Sequence, residues 1–88
     1  MPISEIRYSA RFEQRYKKLG VAIKKRAKEK EPIFREDPFD VRLKTHKLHG
    51  KDRDHWAFWI NYHYRIKFSF LGDSKVLFLD VGTHDDVY

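Results

Sequence analysis

The sequence predicts a single α+β domain over residues 1–88, in which two helices cover one face of an antiparallel sheet. Apolar residues recur at helical spacing in the first half of the chain. The second half holds three runs in which apolar and polar residues alternate, separated by short turns. A chain of 88 residues has the size of one domain. The predicted order is one strand, two antiparallel helices and a three-stranded antiparallel meander.

The chain is predicted to begin with a strand and a helix. Residues 2–8 alternate in character and suggest a short first strand. Ser9 is a good N-cap, because its hydroxyl can accept a hydrogen bond from an amide of the first helical turn. The helix is expected from about Ala10 to Leu19, and Gly20 is expected to end it. Its apolar face consists of Phe12, Tyr16 and Leu19.

A second helix is predicted to begin near Val21. Pro32 is expected to kink or stop this helix, because proline cannot donate its amide. If the helix goes on, Phe34 continues its apolar face for one more turn. The dipeptide Asp37-Pro38 predicts the end of helical structure. The apolar face begins with Ile23 and Ala27.

Residues 39–51 form the least regular and most basic stretch of the sequence. Leu43 and Leu48 are predicted to anchor it to the core. A basic loop over a sheet could grip phosphate groups of a nucleic acid. His46 and His49 are three residues apart, but no acidic or thiol ligand has a matching spacing, so we predict no metal site. The basic and histidine side chains of this stretch are Arg42, Lys44, His46, Lys47, His49 and Lys51.

The second half predicts a meander of three strands. They cover about residues 56–61, 64–71 and 75–81, with turns near 61–63 and 72–74. Arg65 and Lys67 alternate with apolar residues and so share one face, which predicts a basic and open side of the sheet. Trp59 is expected on the neighbouring strand, within reach of the same surface.

The last strand delivers the stretch that holds the candidate chemistry, residues 81–88. Gly82 is predicted to turn the backbone sharply out of the strand without a Cβ penalty. Thr83 can hydrogen-bond within such a turn. His84 can hold or release a proton near neutral pH, and Tyr88 offers a flat face with a hydroxyl. The alternative is a simple end of the sheet, with His84 as a solvated turn residue.

The charge of the chain is unevenly distributed. Residues 1–55 carry 16 Lys and Arg against 9 Asp and Glu, a net charge of +7, whereas residues 56–88 carry 3 against 4, a net charge of −1. A basic excess favours a polyanionic partner, either nucleic acid or an acidic protein, although it could serve solubility alone. The sequence holds no cysteine, which excludes disulfides and thiolate metal sites and fits a cytoplasmic location. No apolar run approaches the roughly 20 residues of a membrane helix, so no membrane partner is expected.

Three motifs in this order resemble the RelE/ParE superfamily of toxins from type II toxin–antitoxin modules, and the YafQ-like branch best. Residues 46–50, His-Lys-Leu-His-Gly, resemble that branch's His-x-Leu-x-Gly. Residues 64–68, Tyr-Arg-Ile-Lys-Phe, resemble the superfamily's strand with arginine, a hydrophobic residue and an aromatic. Residues 82–88, Gly-Thr-His-Asp-Asp-Val-Tyr, are similar to its terminal motif. The likeness covers nearly the whole chain and implies a RelE-like fold.

The resemblance implies a toxin that is a metal-independent endoribonuclease (an mRNA interferase) and needs no cofactor. Such enzymes cut messenger RNA in the ribosomal decoding site, through attack of the 2′-hydroxyl with histidine acid/base catalysis. By position, the resemblance makes His84, His46 and Arg65 catalytic and Tyr88 the aromatic residue on the RNA. It also implies a cognate antitoxin protein as partner, and operator DNA bound only by the toxin–antitoxin complex. Further RNA contacts are expected from Lys44, Lys47, His49, Lys51, Arg53, Trp59 and Lys67.

Two departures from the family pattern leave alternatives open. Asp80 and Val81 stand where relatives place an arginine before the terminal histidine, and Trp59 replaces a histidine. Lys51, Arg53 or Lys67 could supply the missing cation. His84 is assigned as the acid and His46 as the base, and the reverse is also open. The alternative functions are a ParE-like toxin that inhibits DNA gyrase without nuclease activity, and a catalytically weak toxin that acts only through antitoxin and operator binding.

Overall fold

The computed structural model describes residues 2–88 and confirms the α+β fold. Two helices precede the meander and a short helix follows it, and two 3₁₀ turns lie at Val41–Leu43 and Gly50–Asp52. None of the helices in residues 2–88 is both long enough and apolar enough to span a bilayer. The elements are β1 (Glu5–Tyr8), α1 (Ala10–Lys17), α2 (Val21–Glu36), β2 (His46–Lys47), β3 (Trp56–Trp59), β4 (Tyr64–Phe70), β5 (Lys75–Thr83) and α3 (His84–Val87).

The sheet has five strands in the order β1-β5-β4-β3-β2. The predicted antiparallel meander is its centre, formed by β3, β4 and β5. Two strands extend it: β1 pairs parallel with β5, and β2 pairs antiparallel with β3. β1 flanks only the first part of β5, residues 75–78, whereas the end of β5, where the chain turns into α3, pairs with β4 alone.

The N-terminus of α1 is as predicted, whereas Gly20 has a different role. The Ser9 hydroxyl accepts a hydrogen bond from the Phe12 amide at 3.0 Å and donates to the Leu79 carbonyl oxygen at 2.9 Å. Ser9 therefore caps α1 and fastens it to β5. The helix ends at Lys17, and Gly20 is the N-cap of α2 rather than the end of α1.

Of the two outcomes predicted for Pro32, a stop is wrong, because α2 continues through this residue to Glu36; a kink stays a prediction. Proline removes one amide donor, and here both Pro32 and Lys28, four residues earlier, are exposed, so water can bind the freed carbonyl. The turn beyond Pro32 is also stabilised by tertiary packing, since Phe34 is fully buried. Asp37 ends the helix as predicted.

The core lies between the two long helices and one face of the sheet. Phe34 of α2 is its centre: its ring centroid lies 4.8 Å from that of Phe58, 5.0 Å from Phe68 and 5.4 Å from Phe78. Burial of a side chain of this size contributes roughly 1.5–3 kcal/mol. Both predicted anchors of residues 39–51 are buried, Leu43 completely and Leu48 to 6% exposure. The two residues of β2 had no pattern that predicted a strand.

A β-bulge in β5 decides which side chains reach the site. Phe68 pairs with Phe78 but Lys67 pairs with Asp80, so Leu79 is the extra residue. The bulge shifts the alternation, which returns Val81 to the core beside Ile66 and places Asp80 in the row of Lys67.

Gly82 lies within β5, and the prediction of a sharp turn at this residue is wrong. The strand continues to Thr83, and Gly82 is not in the left-handed region. Its importance is steric: a Cβ on Gly82 would lie 2.9 Å from the Asp86 Cβ and 3.0 Å from the Arg15 Nη2. Glycine is required here because a side chain from α1 and one from α3 both pack onto the strand.

Candidate active site

The final turn of the chain holds Tyr88 between two histidines. The Tyr88 ring centroid lies 4.3 Å from that of His84 and 5.5 Å from that of His46. The Tyr88 hydroxyl is in short hydrogen-bond contact with Nε2 of His46. Two residues 42 positions apart in the sequence are therefore brought together, because β2 and α3 meet at the same end of the sheet. We refer to His46, Arg65, His84 and Tyr88 as the Tyr88 cluster.

The hydrogen bonds of His46 define its tautomer. Its Nδ1 lies 3.1 Å from the Lys44 carbonyl oxygen, which can only accept. Nδ1 therefore carries a proton, and in the neutral ring Nε2 is an acceptor that faces the Tyr88 hydroxyl. Lys44 is in the left-handed conformation, with a φ of 51°, and this turn directs its carbonyl group. Nε2 is thus the acceptor nitrogen of His46, and the Tyr88 hydroxyl occupies it.

Tyr88 is 41% exposed and keeps its proton at neutral pH. Partial burial raises the pKa of the Tyr88 hydroxyl, while the charge and hydrogen bonding of Arg65 act in the opposite direction. The hydroxyl is thus a hydrogen-bond donor to His46.

Arg65 is buried, so the predicted basic and open face is wrong at this residue. Only 5% of Arg65 is exposed. Its Nη1 donates to the carbonyl oxygens of Asn61 at 2.8 Å and Tyr62 at 2.5 Å, and its guanidinium lies 4.0 Å from the centre of the Trp59 ring. Its Nε has no hydrogen-bond partner among residues 2–88. The Trp59 indole covers the guanidinium from solvent, an arrangement that arginine favours because of its weak hydration.

An ion cluster fastens α3 to α1, and the sequence analysis did not identify it. Nε of Arg15 lies 3.1 Å from Oδ1 of Asp80 and 3.2 Å from the Val81 carbonyl oxygen, and Nη2 lies 3.4 Å from Oδ2 of Asp86. Nε of Arg11 binds the other oxygen of Asp80 at 3.1 Å. We call Arg11, Arg15, Asp80 and Asp86 the Arg15 ion cluster. Asp86 lies between His84 and Tyr88 in the sequence, so its ion pair with Arg15 holds the turn that carries both residues.

Asp86 contributes to this turn in a second way. Its Oδ2 accepts a hydrogen bond from the Thr83 amide at 3.2 Å, at the start of α3. The hydrogen bonds from the Thr83 side chain and amide, followed by the charge of Arg15, hold the pKa of Asp86 below its ordinary value. The expected local hydrogen bonding of Thr83 is thus present, as part of a helix N-terminus.

Asp80 is a buried carboxylate, so it does not replace the cation that the resemblance predicts at this position. It is 3% exposed and is bound to the two arginines of α1 and to its neighbouring Val81 amide at 2.8 Å. At the position where the resemblance predicts an arginine, this chain therefore has a carboxylate with a structural role. The sequence could not show this, because the partners of Asp80 lie 65 and 69 residues away.

Three clefts surround the Tyr88 cluster. The His46 cleft, of about 360 Å³, is lined by His46, His49 and Tyr88. The Lys67 cleft, of about 440 Å³, also reaches Tyr88; its lining includes the cations Arg11, Lys51 and Lys67 and the carboxylates Asp52, Asp80 and Asp86. The His63 cleft, of about 350 Å³, is lined by His63, Arg65 and His84. The sheet end thus has room for more than one nucleotide unit.

The remaining predicted RNA contacts are divided between the two faces of the sheet. Nζ of Lys44 lies 5.3 Å from the centre of the Trp59 ring, near the cluster. Lys47 has the opposite orientation to His46 on β2, and its Nζ lies 5.9 Å from the Trp56 ring. Arg53 is exposed and lines none of the three clefts. In residues 2–88, no three His, Asp or Glu side chains are grouped closely enough to hold a metal ion.

The turn at residues 61–63 also belongs to the site, although no sequence motif predicted it. The His84 amide donates to the His63 carbonyl oxygen at 3.2 Å, which joins this turn to the start of α3. Tyr62 is 70% exposed beside it. The available signal was an aromatic residue and a histidine in a turn where polar residues and glycine are usual.

A five-stranded sheet with a helical pair on one face is the fold of RelE/ParE-type toxins. Three solved structures support this. The YoeB/ParE toxin from Agrobacterium tumefaciens has a TM-score of 0.77 at 13% sequence identity, covering 91% of this chain and 98% of that one. YafQ from E. coli strain BL21(DE3) has a TM-score of 0.73 at 19% identity, covering 94% and 96%.

The third is the toxin–antitoxin complex RelBE2 from Mycobacterium tuberculosis, with a TM-score of 0.76 at 17% identity, covering 96% of this chain and all of the matched one. No protein-family model and no curated protein sequence matches this chain. The shared feature is the fold, which toxins of toxin–antitoxin systems also adopt.

Proposed function

We propose that this chain is the toxin of a type II toxin–antitoxin system, and that it is a metal-independent endoribonuclease that cleaves messenger RNA in the ribosomal decoding site. The observation that carries the proposal is the Tyr88 cluster, in which a phenol lies between two imidazoles beside a guanidinium. The RelE/ParE-type fold and the sequence motifs support the same function.

Cleavage of RNA without a metal uses the 2′-hydroxyl as the nucleophile on the adjacent phosphorus. A bond from O2′ to phosphorus forms, the bond from phosphorus to O5′ breaks, and the products are a 2′,3′-cyclic phosphate and a 5′-hydroxyl. The reaction requires a base for the 2′-hydroxyl proton, an acid for the departing oxygen, and cations near the equatorial oxygens. Imidazoles, which titrate near pH 6.5, can serve as either acid or base.

We assign His46 as the general base. The Lys44 carbonyl oxygen holds the proton on Nδ1, which leaves Nε2 free to accept one. Tyr88 occupies this acceptor in the absence of RNA. A 2′-hydroxyl bound in the His46 cleft would either replace the phenol or pass its proton through it.

We assign His84 as the general acid. It is exposed on the other side of the Tyr88 ring, and its Nδ1 lies 3.5 Å from Oδ1 of Asp85, which can accept a hydrogen bond from a protonated imidazole. His84 is the first residue of α3 and lines the His63 cleft, whereas His46, the general base, lines the His46 cleft. In the proposed reaction, His46 would act on the attacking 2′-oxygen and His84 on the departing 5′-oxygen, at opposite sides of the phosphorus.

The cations of the proposed site come from two places. Arg65 is buried, so it would act on the phosphate through its charge beside Tyr88 and by keeping the turn at residues 61–63 in shape. Lys51 and Lys67 line the cleft next to Tyr88, and Lys67 is only loosely paired, with its Nζ 3.9 Å from Oδ1 of Asp52. We assign Lys67 and Lys51 to the phosphates that flank the scissile one.

The partners follow from the same proposal. A cognate antitoxin protein would hold the toxin inactive, and the pair together would bind operator DNA. The toxin would act in the cytoplasm, on messenger RNA bound to the ribosome. The net charge of +6 favours both an acidic antitoxin and RNA.

The test is primer extension on a defined message in a reconstituted translation reaction. Wild type and His84→Ala are compared, with a reaction that lacks ribosomes as the control. Cuts that require ribosomes and disappear with His84→Ala support the proposal. Cuts that survive the substitution move the acid/base role to His46 or His49, and no cuts by wild type would reject the nuclease function.

One observation favours a second candidate function. The carboxylate of Asp80 stands where relatives place an arginine, and it is fully engaged by Arg11 and Arg15. A site with fewer cations would suit a toxin without nuclease activity that inhibits DNA gyrase, or one that acts only through antitoxin and operator binding. A gyrase supercoiling assay with the purified chain separates the first of these from the nuclease: inhibition without RNA cleavage would favour it.

A further inference from the structure

We propose that Tyr62 and the turn that carries it form a stacking subsite for one unpaired nucleobase of the RNA. This inference rests on the proposed function, since it names where that substrate would bind beside the acid/base pair. Tyr62 lies at the tip of the β3–β4 hairpin, and 70% of its surface is exposed. Its ring centroid lies 5.8 Å from that of Trp59 and 5.1 Å from that of His63, so it extends an aromatic surface that begins at the sheet.

The turn that carries Tyr62 is rigid. Oδ1 of Asn61 accepts hydrogen bonds from the amides of His63 at 2.9 Å and Tyr64 at 2.8 Å. Nη1 of Arg65 holds the carbonyl oxygens of Asn61 and Tyr62 from below. A buried arginine that satisfies the backbone of a surface turn holds that turn in one shape. Tyr62 is therefore presented to solvent without a loop that must first become ordered, which favours binding.

The turn is also placed correctly for a substrate. The hydrogen bond from the His84 amide to the His63 carbonyl oxygen, at 3.2 Å, joins it to the residue that we assign as the general acid. Tyr62 and His84 then line the same cleft of about 350 Å³. A base stacked on Tyr62 would belong to a nucleotide next to the cleaved bond.

The charges around this cleft suit a base better than a phosphate. Asp85 lies at its rim with its carboxylate fully exposed, and the Arg65 guanidinium is already bound to backbone oxygens. A phosphate would therefore meet the negative charge of Asp85 and a guanidinium that is already engaged. A neutral, flat base would meet an exposed aromatic ring and the hydrogen-bonding groups of His63 and His84.

Tyr62 is a better candidate for stacking than Trp59, which the sequence suggested. The Trp59 ring has the Arg65 guanidinium at 4.0 Å and the Lys44 ammonium at 5.3 Å from its centre. A base could reach that ring only after displacing a cation–π partner. Trp59 thus supports the site, and Tyr62 offers the free face.

The test is equilibrium binding of a single-stranded RNA that carries 2-aminopurine, with 2′-O-methyl groups that block cleavage. Wild type, Tyr62→Ala, Tyr62→Leu and Tyr62→Trp are compared; leucine keeps apolar area but has no flat face. Alanine and leucine are expected to weaken binding by about five- to a hundredfold, whereas tryptophan restores it to within about twofold. Thermal unfolding should be unchanged in all four proteins, since the side chain is exposed.

A second arm locates the base. One nucleotide at a time is made abasic. At one position the loss of the base should weaken binding by wild type but add nothing in Tyr62→Ala, because the same contact is already absent. The subsite is rejected if alanine binds like wild type, if tryptophan fails to restore binding, if the abasic and alanine effects add at every position, or if wild type itself does not bind.

These outcomes are separate from those of the nuclease test. A chain that binds RNA through Tyr62 but does not cut it would retain the subsite and lose the proposed chemistry. A chain that cuts messenger RNA on the ribosome with the same KM for wild type and Tyr62→Ala would retain the chemistry and lose the subsite.

Discussion

Replacement of Gly82 by alanine tests whether close packing at the end of β5 positions the Tyr88 cluster. The added Cβ would lie 2.9 Å from the Asp86 Cβ and 3.0 Å from Nη2 of Arg15. Carbon atoms pack best about 3.5–4.0 Å apart, so Asp86 must move away by roughly 0.6–1.1 Å. Asp86 belongs to α3, so its displacement also moves His84 and Tyr88.

Two effects of opposite sign determine the stability of this variant. Overpacking in a closed site costs about 1–3 kcal/mol. Alanine also restricts the unfolded chain, which stabilises a protein by about 0.4–1 kcal/mol where the backbone is compatible. Gly72→Ala isolates the second effect, because nothing lies within 4 Å of its added Cβ and Gly72 is not in the left-handed region. The two variants should therefore differ by about 1–3 kcal/mol in free energy of unfolding.

Urea denaturation of wild type, Gly82→Ala and Gly72→Ala measures this difference. For a domain of this size, each kcal/mol corresponds to about 4–8 °C in Tm. RNA cleavage should fall by about a hundredfold in Gly82→Ala, since a misplacement of about 1 Å can cost that much, and should be unchanged in Gly72→Ala. If Gly82→Ala matched Gly72→Ala in both stability and activity, the close contact at Gly82 would not position the site.

Three further substitutions test other parts of the site. Tyr88→Phe removes the hydroxyl that contacts His46 and keeps the ring beside His84. The cleavage rate should fall by about ten- to a hundredfold, whereas Tm should stay unchanged. A loss of cleavage accompanied by a lower Tm would indicate that the hydroxyl has a structural role only. Arg65→Met leaves the carbonyl oxygens held by the guanidinium without a donor and should lower the free energy of unfolding by about 2–4 kcal/mol, measured by urea denaturation; an unchanged midpoint would show that the buried charge is dispensable. Asp86→Asn tests the acid sensitivity of α3. The pKa of Asp86 is lower in the folded chain than its ordinary value of 3.8. The contribution of Asp86 to the free energy of unfolding is therefore complete above pH 3.8 and is lost as the pH falls through the folded-state pKa. Stability measured from pH 5 to pH 2.5 should therefore fall more steeply for wild type than for Asp86→Asn, and parallel curves would contradict the assignment.

The helices and the meander could be predicted from the sequence because their signals are local. Ser9 lies immediately before an apolar face with a period of 3.6 residues, and its capping bond reaches only to Phe12. The strands were evident from alternation in the second half. The exception, Pro32, shows the limit of a local rule: the cost of one lost hydrogen bond is exceeded by the burial of Phe34, a tertiary contact that the proline does not reveal.

The candidate site was only partly predictable, because its geometry depends on long-range pairs. His46, Arg65, His84 and Tyr88 were nominated from motifs, but nothing local shows that Tyr88 lies between the histidines. The burial of Arg65 depends on Trp59, its direct partner on the neighbouring strand β3. An alternating basic residue on a strand is expected to be solvated, and here an aromatic neighbour and backbone oxygens replace the water.

The Arg15 ion cluster could not be predicted from the sequence. Asp80 occupies a strand position where a carboxylate is unusual, and its partners lie on α1. The bulge at Leu79 places Asp80 in that position, and bulges have no reliable sequence signal. The role of Asp80 is therefore explained by packing that only the fold reveals.

The central claim is that the Tyr88 cluster cleaves RNA through the RNA's own 2′-hydroxyl. Single-turnover cleavage of a ribosome-bound message, with one 2′-deoxy nucleotide at a mapped cut site, tests it most directly. We predict that the deoxy message stays intact at that site, and that the unmodified message yields a 2′,3′-cyclic phosphate end. Cleavage of both messages at the same rate would contradict the claim, because water rather than the 2′-hydroxyl would then be the nucleophile.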